Sequence, residues 1–357
     1  MSPSAAEGEP NGASDGGAEA APLRRVYRWD LDKTYLRSEF ATFSDLVKSA
    51  FEGAEKKQSV PGAAALLREL KKGGGVRVSF ISGSPQQMRK VLTRKLELDG
   101  VAVDEFILKP NLRNLVRGRF RALREQVGYK LPALLSGRAG LPPSVHETCF
   151  GDDSEADALV YSLYGDLRAG RADRALLSRV LEAARVYPDD AARTLALYDA
   201  ADKGECVDRI LIHLDLRSPT SRFDRYGARL VPFYNYFQAG LVLLEDGVLD
   251  AAAVLGVALD MIEHAGYTLD ALCNSMEDLL RRGRMRRATP LRLAQRIGAG
   301  MDDLLQSPGS SVGRALLDAF AARLTSIASA PGGFLAALPP DAPIDYLAAF
   351  AEVDPHR

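Results

Sequence analysis

The sequence predicts an α/β protein: a parallel sheet with helices on both faces, followed by an all-α C-terminal region. Short β-prone runs alternate with helical segments as far as about residue 217. Several of these runs end in a small polar or charged residue, and beyond about residue 222 the chain is Leu- and Ala-rich with helical periodicity. Alternation of this kind is typical of parallel sheets, because the returning helices cover the two faces.

Five runs are predicted to form strands, and their β-branched and aromatic content supports this. They are 26–29, 76–81, 105–108, 146–150 and 206–213. The helix over 61–72 is bounded by Pro61 and by the glycines 73–75. The other helices of this part are predicted at 44–57, 86–97, 113–126 and 155–169. Five more are predicted at 225–246, 248–265, 268–282, 290–306 and 311–328.

This pattern divides the chain into three parts. Residues 1–22 hold four acidic and no basic residues, with many small ones, and predict a disordered tail rather than a signal peptide. Residues 23–217 are predicted to form the catalytic α/β domain, with 171–204 as a helical insertion, and 218–357 an all-α domain. With no leader and no stretch of about 20 apolar residues, a cytoplasmic location is expected.

Composition excludes several classes of protein. The 357 residues are 46% hydrophobic and 26% charged, which excludes a disordered or collagen-like chain. The formal net charge of -1 does not favour a nucleic-acid partner. Three scattered cysteines and four unpaired histidines predict neither a disulfide framework nor a histidine-based metal site.

Polar residues follow the ends of the predicted strands, where open α/β sheets bind their ligands. Asp30 and Asp32 follow the first strand, Ser82 the second, and Asp152 and Asp153 the fourth. Lys130 lies between the third and fourth strands. Two carboxylates at this spacing share a face, and hard oxygen ligands of this kind suit Mg²⁺.

These residue types are sufficient for phosphoryl transfer. One aspartate would attack phosphorus while the second protonates the leaving group. Lys130 would neutralise charge and the Ser82 hydroxyl would hold a phosphoryl oxygen. Each feature alone has a simpler interpretation: solvated loop carboxylates, a turn, a surface lysine, or an acidic helix start. Their joint occurrence in chain order favours the catalytic interpretation.

The set resembles the haloacid dehalogenase (HAD) superfamily of phosphotransferases over about residues 24–217. In its four motifs, the resemblance implies Asp30 as nucleophile, Asp32 as acid/base, Ser82 and Lys130 as phosphoryl ligands, and the acidic run at 151–157 as the metal motif. The implied Mg²⁺ ligands are Asp30, the backbone carbonyl of Asp32, Asp152 and Asp153. The resemblance also implies a HAD-like fold with a minimal cap, formed by roughly residues 35–57.

Within that superfamily the chain is most similar to the phosphatidate-phosphatase-like catalytic domain first linked to actin patches. Ser82-x-Ser84-Pro85, the later lysine and Gly-Asp-x-x-Glu-x-Asp at 151–157 carry this likeness, with Phe-Asp-x-Tyr-Gly at 223–227. The family has Asp, Asn and His where this chain has Lys33, Gly83 and Tyr129. Substrate contacts are expected at Thr34, Gly83, Ser84 and Lys109, and Lys109 is the alternative to Lys130 for the third motif.

The predicted function is a Mg²⁺-dependent phosphatase acting through an aspartyl-phosphate, on phosphatidate or another large anionic substrate. A minimal cap leaves an open site, which suits a large substrate. Two groups of basic residues support an anionic substrate: a stripe of four arginines and a cluster over 281–287. Each group also fits a simpler interpretation, a solvated helix face or the basic end of a helix. The stripe comprises Arg113, Arg117, Arg121 and Arg124.

Two other functions stay open. One is a phosphatase of a soluble phosphomonoester, a phosphoprotein or a polynucleotide end, and the other is a non-catalytic scaffold with the HAD fold. The sequence leaves the oligomeric state open.

Overall fold

The computed structural model describes residues 21–37, 55, 57–109, 119–300, 313–330 and 342–353, with the side chains of 119–125 excepted. Nearly all of the predicted tail and of the helix at 44–57, and the start of the helix at 113–126, lie outside these residues. So do most of the predicted cap and two of the four stripe arginines; the other two lack described side chains.

A six-stranded, all-parallel sheet forms the centre of the described structure and confirms the predicted fold class. The strand order is β3-β2-β1-β4-β5-β6, which places β1 and β4 side by side. The strands are β1 (Arg25–Trp29), β2 (Val76–Pro85), β3 (Glu105–Lys109), β4 (His146–Asp152), β5 (Val207–His213) and β6 (Leu230–Phe233).

The sixth strand was not predicted. Leu230–Phe233 pairs with β5, in a stretch where the sequence suggested the beginning of a helix. Pro232 explains this, because a proline disfavours a helix interior but is accepted on an edge strand. The sheet therefore continues beyond the domain boundary placed at 217, and the following helix begins only at Tyr236.

Helices cover both faces of the sheet. One face, with Trp29 and Phe80, shares a continuous core with α1, α2 and the C-terminal helices α7–α11. The other face, with Ile81 and Cys149, packs on α3–α6 and the last helix, α12. The helices are α1 (Ala63–Lys72), α2 (Arg89–Leu98), α3 (Arg119–Arg138), α4 (Asp157–Ala169), α5 (Arg174–Ala183), α6 (Pro188–Asp199), α7 (Tyr236–Glu245), α8 (Ala251–Ala265), α9 (Leu269–Arg281), α10 (Ala288–Gly298), α11 (Arg314–Ser329) and α12 (Tyr346–Val353).

A buried ion pair fixes the second face. Arg28 Nε lies 3.0 Å from Glu147 Oε2, and both side chains are fully buried. The Tyr164 hydroxyl of α4 donates to the other oxygen of Glu147 at 3.0 Å. Since buried charges need full pairing, this network favours one register of β1 against β4.

Among the described residues, no helix is long and apolar enough to cross a membrane.

Candidate active site

The carboxyl ends of four neighbouring strands bring the candidate residues together. Asp30 follows β1, Ser82 lies near the end of β2, and Asp152 and His213 end β4 and β5. β1 and β4 are hydrogen-bonded neighbours, with Trp29 opposite Phe150. The two strands that carry the first and fourth motifs therefore deliver their aspartates to the same point.

Four acidic side chains form one cluster at this point. Asp30, Asp152, Glu155 and Asp157 each place a carboxylate oxygen within 4.8 Å of the others. Gly151 makes the close approach possible, because a Cβ there would lie 2.4 Å from the Asp157 side chain.

Lys130 of α3 is the cation in this cluster. Its Nζ lies 2.8 Å from Asp30 Oδ1 and 2.8 Å from Glu155 Oε2, and it also pairs with Asp157. The side chain is only 1% exposed. Lys109, the alternative for the third motif, instead lies over the Tyr129 ring at 5.9 Å from its centre. The lysine in contact with Asp30 is therefore Lys130.

The loop after β4 is ordered by Asp152 itself. Its Oδ1 accepts hydrogen bonds from the Ser154 amide at 2.5 Å, the Ser154 hydroxyl at 2.5 Å and the Glu155 amide at 3.1 Å. This is the local pattern that Asp favours just before a helix. It leaves Asp152 Oδ2 facing the cluster without a partner of its own.

Burial and mutual repulsion dominate the electrostatics. Burial, only partly offset by Lys130, raises the pKa of Asp30 well above its ordinary value. Burial, followed by the charges of Glu155 and Asp157, does the same to the pKa of Asp152, and burial raises the pKa of Asp157 to about 6. Burial disfavours charged Lys130, but Asp157, Asp30 and Glu155 together outweigh it and raise its pKa. One ammonium does not neutralise four carboxylates.

A divalent cation fits this arrangement. Asp30 Oδ2 and Asp152 Oδ2 are both buried and have no hydrogen-bond partner in the described structure. Unsatisfied buried carboxylate oxygens are unfavourable, and they are the hard ligands that Mg²⁺ prefers. The cluster therefore has the donor set and the charge deficit of a metal site.

Asp32 is held outside the cluster by two serines of β2. The Ser84 hydroxyl donates to Asp32 Oδ2 at 3.0 Å, and the Ser82 hydroxyl donates to the same oxygen at 3.3 Å. Ser82 Oγ also accepts from the Ser84 amide at 3.0 Å. The structure therefore places both hydroxyls on Asp32, whereas the sequence suggested that they contact the substrate.

Asp153, Thr34 and Gly83 are not members of the acidic cluster. The Asp153 carboxylate accepts hydrogen bonds from the amides of Leu216 at 2.8 Å and Ser218 at 2.9 Å, so it fixes the loop after β5. Thr34 is fully buried. Gly83 faces open space, since a Cβ there would meet nothing within 4 Å, and this suits a substrate contact.

Three residues that contact the predicted site residues or their loops were not themselves predicted as site residues. Glu155 and Asp157 lie in the predicted fourth motif, but only the structure shows that both contact Lys130. His213 ends β5 and is bonded to the Asp32 loop through the Lys33 carbonyl. The sequence rule that identified the other strand-end residues also applies to His213.

The basic cluster at 281–287 is largely paired within the protein. Arg282 bonds to Asp278 at 2.6 Å, Arg286 bonds to Glu245 at 2.5 Å, and Arg281 lies 3.9 Å from Glu277. These contacts favour the interpretation that it is a helix end with partial pairing.

A small groove beside Glu155 borders the acidic cluster. Its wall includes Glu155, and its apolar lining comes from α4, α12 and the short 3₁₀ helix Thr220–Tyr226. Arg222 and Arg225 also line it. Asp153, Glu155 and Glu352 line it as well, and Arg225 pairs with Glu352 at 2.7 Å, so an apolar surface with charges of both signs lies next to the cluster.

Comparison with known proteins identifies one family. Residues 29–173 match the family described as phosphatidate phosphatase APP1, catalytic domain. The match confirms the family resemblance that the motifs predicted, and it spans every member of the acidic cluster. No curated protein and no solved structure gives a significant match.

Proposed function

We propose that this chain is a Mg²⁺-dependent phosphatase with phosphatidate as its substrate. The premise is the match of residues 29–173 to the phosphatidate phosphatase APP1 catalytic-domain family. The observation that carries the proposal is the pairing of Asp30 with Lys130 inside a cluster of four carboxylates, three of which are buried. Such a cluster is unfavourable for stability alone, and perturbed carboxylates of this kind concentrate at functional sites. Action in the cytoplasm belongs to the same proposal.

Two balanced steps account for hydrolysis. In the first, an Asp30 carboxylate oxygen forms a bond to phosphorus while the bond from phosphorus to the leaving oxygen breaks, and Asp32 gives its proton to that oxygen. In the second, the Asp32 carboxylate takes a proton from water, whose oxygen bonds to phosphorus. The bond between phosphorus and Asp30 then breaks and releases phosphate.

The chain's own residues prepare these steps. Lys130 holds Asp30 Oδ1, which leaves Oδ2 as the oxygen without a partner in the protein. Ser82 and Ser84 hold Asp32 at the rim of the site, where it is partly exposed. Asp30 and Asp152 would hold Mg²⁺, which when bound supplies positive charge for the carboxylates and the phosphoryl group.

Two observations favour a phospholipid over a small soluble phosphomonoester. The first is the family match itself. The second is the groove beside Glu155, whose apolar residues Leu159 and Phe223 and whose cationic Arg222 suit an amphiphilic molecule. A small phosphomonoester would leave this groove unused.

Phosphate release tests the proposal directly. Wild-type protein should release phosphate from phosphatidate in mixed micelles with Mg²⁺, release little in EDTA, and lose at least about a hundredfold in rate with Asp30→Asn. Asp104→Asn is the matched control, because that acid lies just before β3, outside both the cluster and the groove. Equal rates for Asp30→Asn and wild type would refute the nucleophile. Release only from soluble phosphomonoesters would refute the lipid substrate, and no release from any substrate would favour the scaffold.

A further inference from the structure

The loop that carries Asp32 adopts an unusual backbone conformation. Lys33 has φ of 59°, in the left-handed region that side-chain-bearing residues rarely occupy. The turn is closed within the loop, because the Lys33 amide donates to the Leu36 carbonyl and the Leu36 amide donates to the Leu31 carbonyl, each at 2.8 Å. A strained turn of this kind persists only where its surroundings hold it.

Two side chains from outside the matched family segment hold this turn. His213, at the end of β5, lies with Nδ1 2.8 Å from the Lys33 carbonyl oxygen. Tyr236, the first residue of α7, donates its hydroxyl to the Thr34 carbonyl at 2.5 Å. A carbonyl only accepts, so His213 is the tautomer with a proton on Nδ1.

Both donors are themselves firmly placed. The Tyr236 ring is fully buried and stacks on Trp29, the residue before Asp30, with 5.6 Å between ring centres. Asn235 caps α7 by accepting from the Gln238 amide, which fixes the helix start at Tyr236. His213 stacks on Tyr236 at 5.9 Å, so the two donors form one unit.

We infer that His213 and Tyr236 are positioning residues for the acid/base: they fix the backbone of residues 32–34 so that Asp32 meets the leaving oxygen. The inference rests on the proposed function. Asp32 is then held from two sides, by serines of β2 through its side chain and by β5 and α7 through its loop backbone. The C-terminal half thus completes a site whose reacting groups lie within residues 29–173.

Leaving-group dependence tests this role. A nitrophenolate leaves without help from an acid, whereas the alkoxide of phosphatidate needs a proton, and kcat/KM reports the step in which that proton is transferred. Tyr236→Phe keeps the ring and removes only the hydroxyl. We expect kcat/KM to fall about tenfold for phosphatidate and by less than about twofold for p-nitrophenyl phosphate, both measured in the same micelles.

Controls separate positioning from general destabilisation. Tyr164→Phe removes another fully buried hydroxyl, on the opposite face of the sheet, and should leave the ratio of the two kcat/KM values unchanged. His213→Asn keeps a donor near the Nδ1 position and should retain the wild-type ratio, while His213→Leu should lower it as Tyr236→Phe does. An unchanged ratio in both Tyr236→Phe and His213→Leu would overturn the inference, as would a fall equal for the two substrates. Wild-type protein without phosphatase activity would instead refute the proposed function.

Discussion

Asp152→Asn should make the metal-free protein more stable while it removes the response to Mg²⁺. The asparagine oxygen keeps the three hydrogen bonds now accepted by Asp152 Oδ1. The substitution removes one negative charge from a cluster whose ligand atoms lie within 4.8 Å of one another. The lost charge opposed folding, because burial and repulsion raise the pKa of Asp152 well above its ordinary value.

The magnitude follows from Coulomb's law. Two carboxylate charges 4.8 Å apart repel by about 3.5 kcal/mol at an effective dielectric constant of ~20. Proton uptake by the cluster relieves part of this repulsion, so we expect a gain of about 2 kcal/mol in the unfolding free energy at pH 8 in EDTA. Mg²⁺ at one hundred times its Kd should stabilise wild-type protein by about 2.7 kcal/mol and so eliminate the variant's advantage.

Urea denaturation of both proteins in EDTA and in Mg²⁺ measures these differences. Asp153→Asn is the control: it weakens two backbone hydrogen bonds outside the cluster and should lower stability by about 1–2 kcal/mol equally in both buffers. If Asp152→Asn were less stable than wild type in EDTA, the electrostatic argument would be refuted. A variant that gains as much from Mg²⁺ as wild type would refute the metal site.

Three further predictions concern the same edge of the sheet. Lys130→Met leaves Asp30 and Asp157 without their buried cation. The unfolding free energy in EDTA at pH 8 should therefore fall by about 3 kcal/mol, and the rate of phosphate release by at least about a hundredfold. A rate within about threefold of wild type would contradict this expectation. Arg222→Gln should raise KM for phosphatidate micelles about fivefold and leave that for p-nitrophenyl phosphate unchanged, because only the lipid reaches the groove; equal changes would exclude a role of the groove. Burial lowers the pKa of His213, so on acidification the unfolded chain binds a proton before the folded protein does. The unfolding free energy of wild type should therefore decline below about pH 6.5, by up to about 1.4 kcal/mol per pH unit relative to His213→Asn. If the unfolding free energies of the two proteins, measured in urea, changed with pH in parallel, this histidine would contribute nothing.

The sheet and the meeting of Asp30, Asp152 and Lys130 at its edge could be predicted because they depend on local sequence. Strand runs end in Asp30, Asp152 and the serines of β2, and parallel strands bring their carboxyl ends to one edge. Rules of this kind use only residue type, spacing and chain order. They also favoured Lys130 over Lys109, and it is Lys130 that contacts Asp30.

What sequence reasoning missed depends on contacts between distant segments. Asp153 stands next to Asp152, but its side chain bonds to Ser218, and nothing in its neighbours along the chain indicates that direction. Leu230–Phe233 lies in a stretch whose apolar content and periodicity predict a helix, and only pairing with β5 decides its conformation. Nor does residue spacing indicate that the hydroxyls of Ser82 and Ser84 both donate to Asp32.

The division of labour between the two halves of the chain follows from these contacts. The groups proposed to form and break bonds to phosphorus lie within the matched residues 29–173. His213 and Tyr236, which hold the backbone of the Asp32 loop, lie outside that match. The groove is lined from both parts of the chain, by residues such as Leu159 within the match and Phe223 beyond it. A protein cut at residue 217 would retain all four carboxylates of the cluster but lose Tyr236, β6 and helices α7–α11, which cover one face of the sheet together with α1 and α2. The carboxylates of the cluster therefore belong to the motifs, while the contacts that hold the Asp32 loop depend on the C-terminal half.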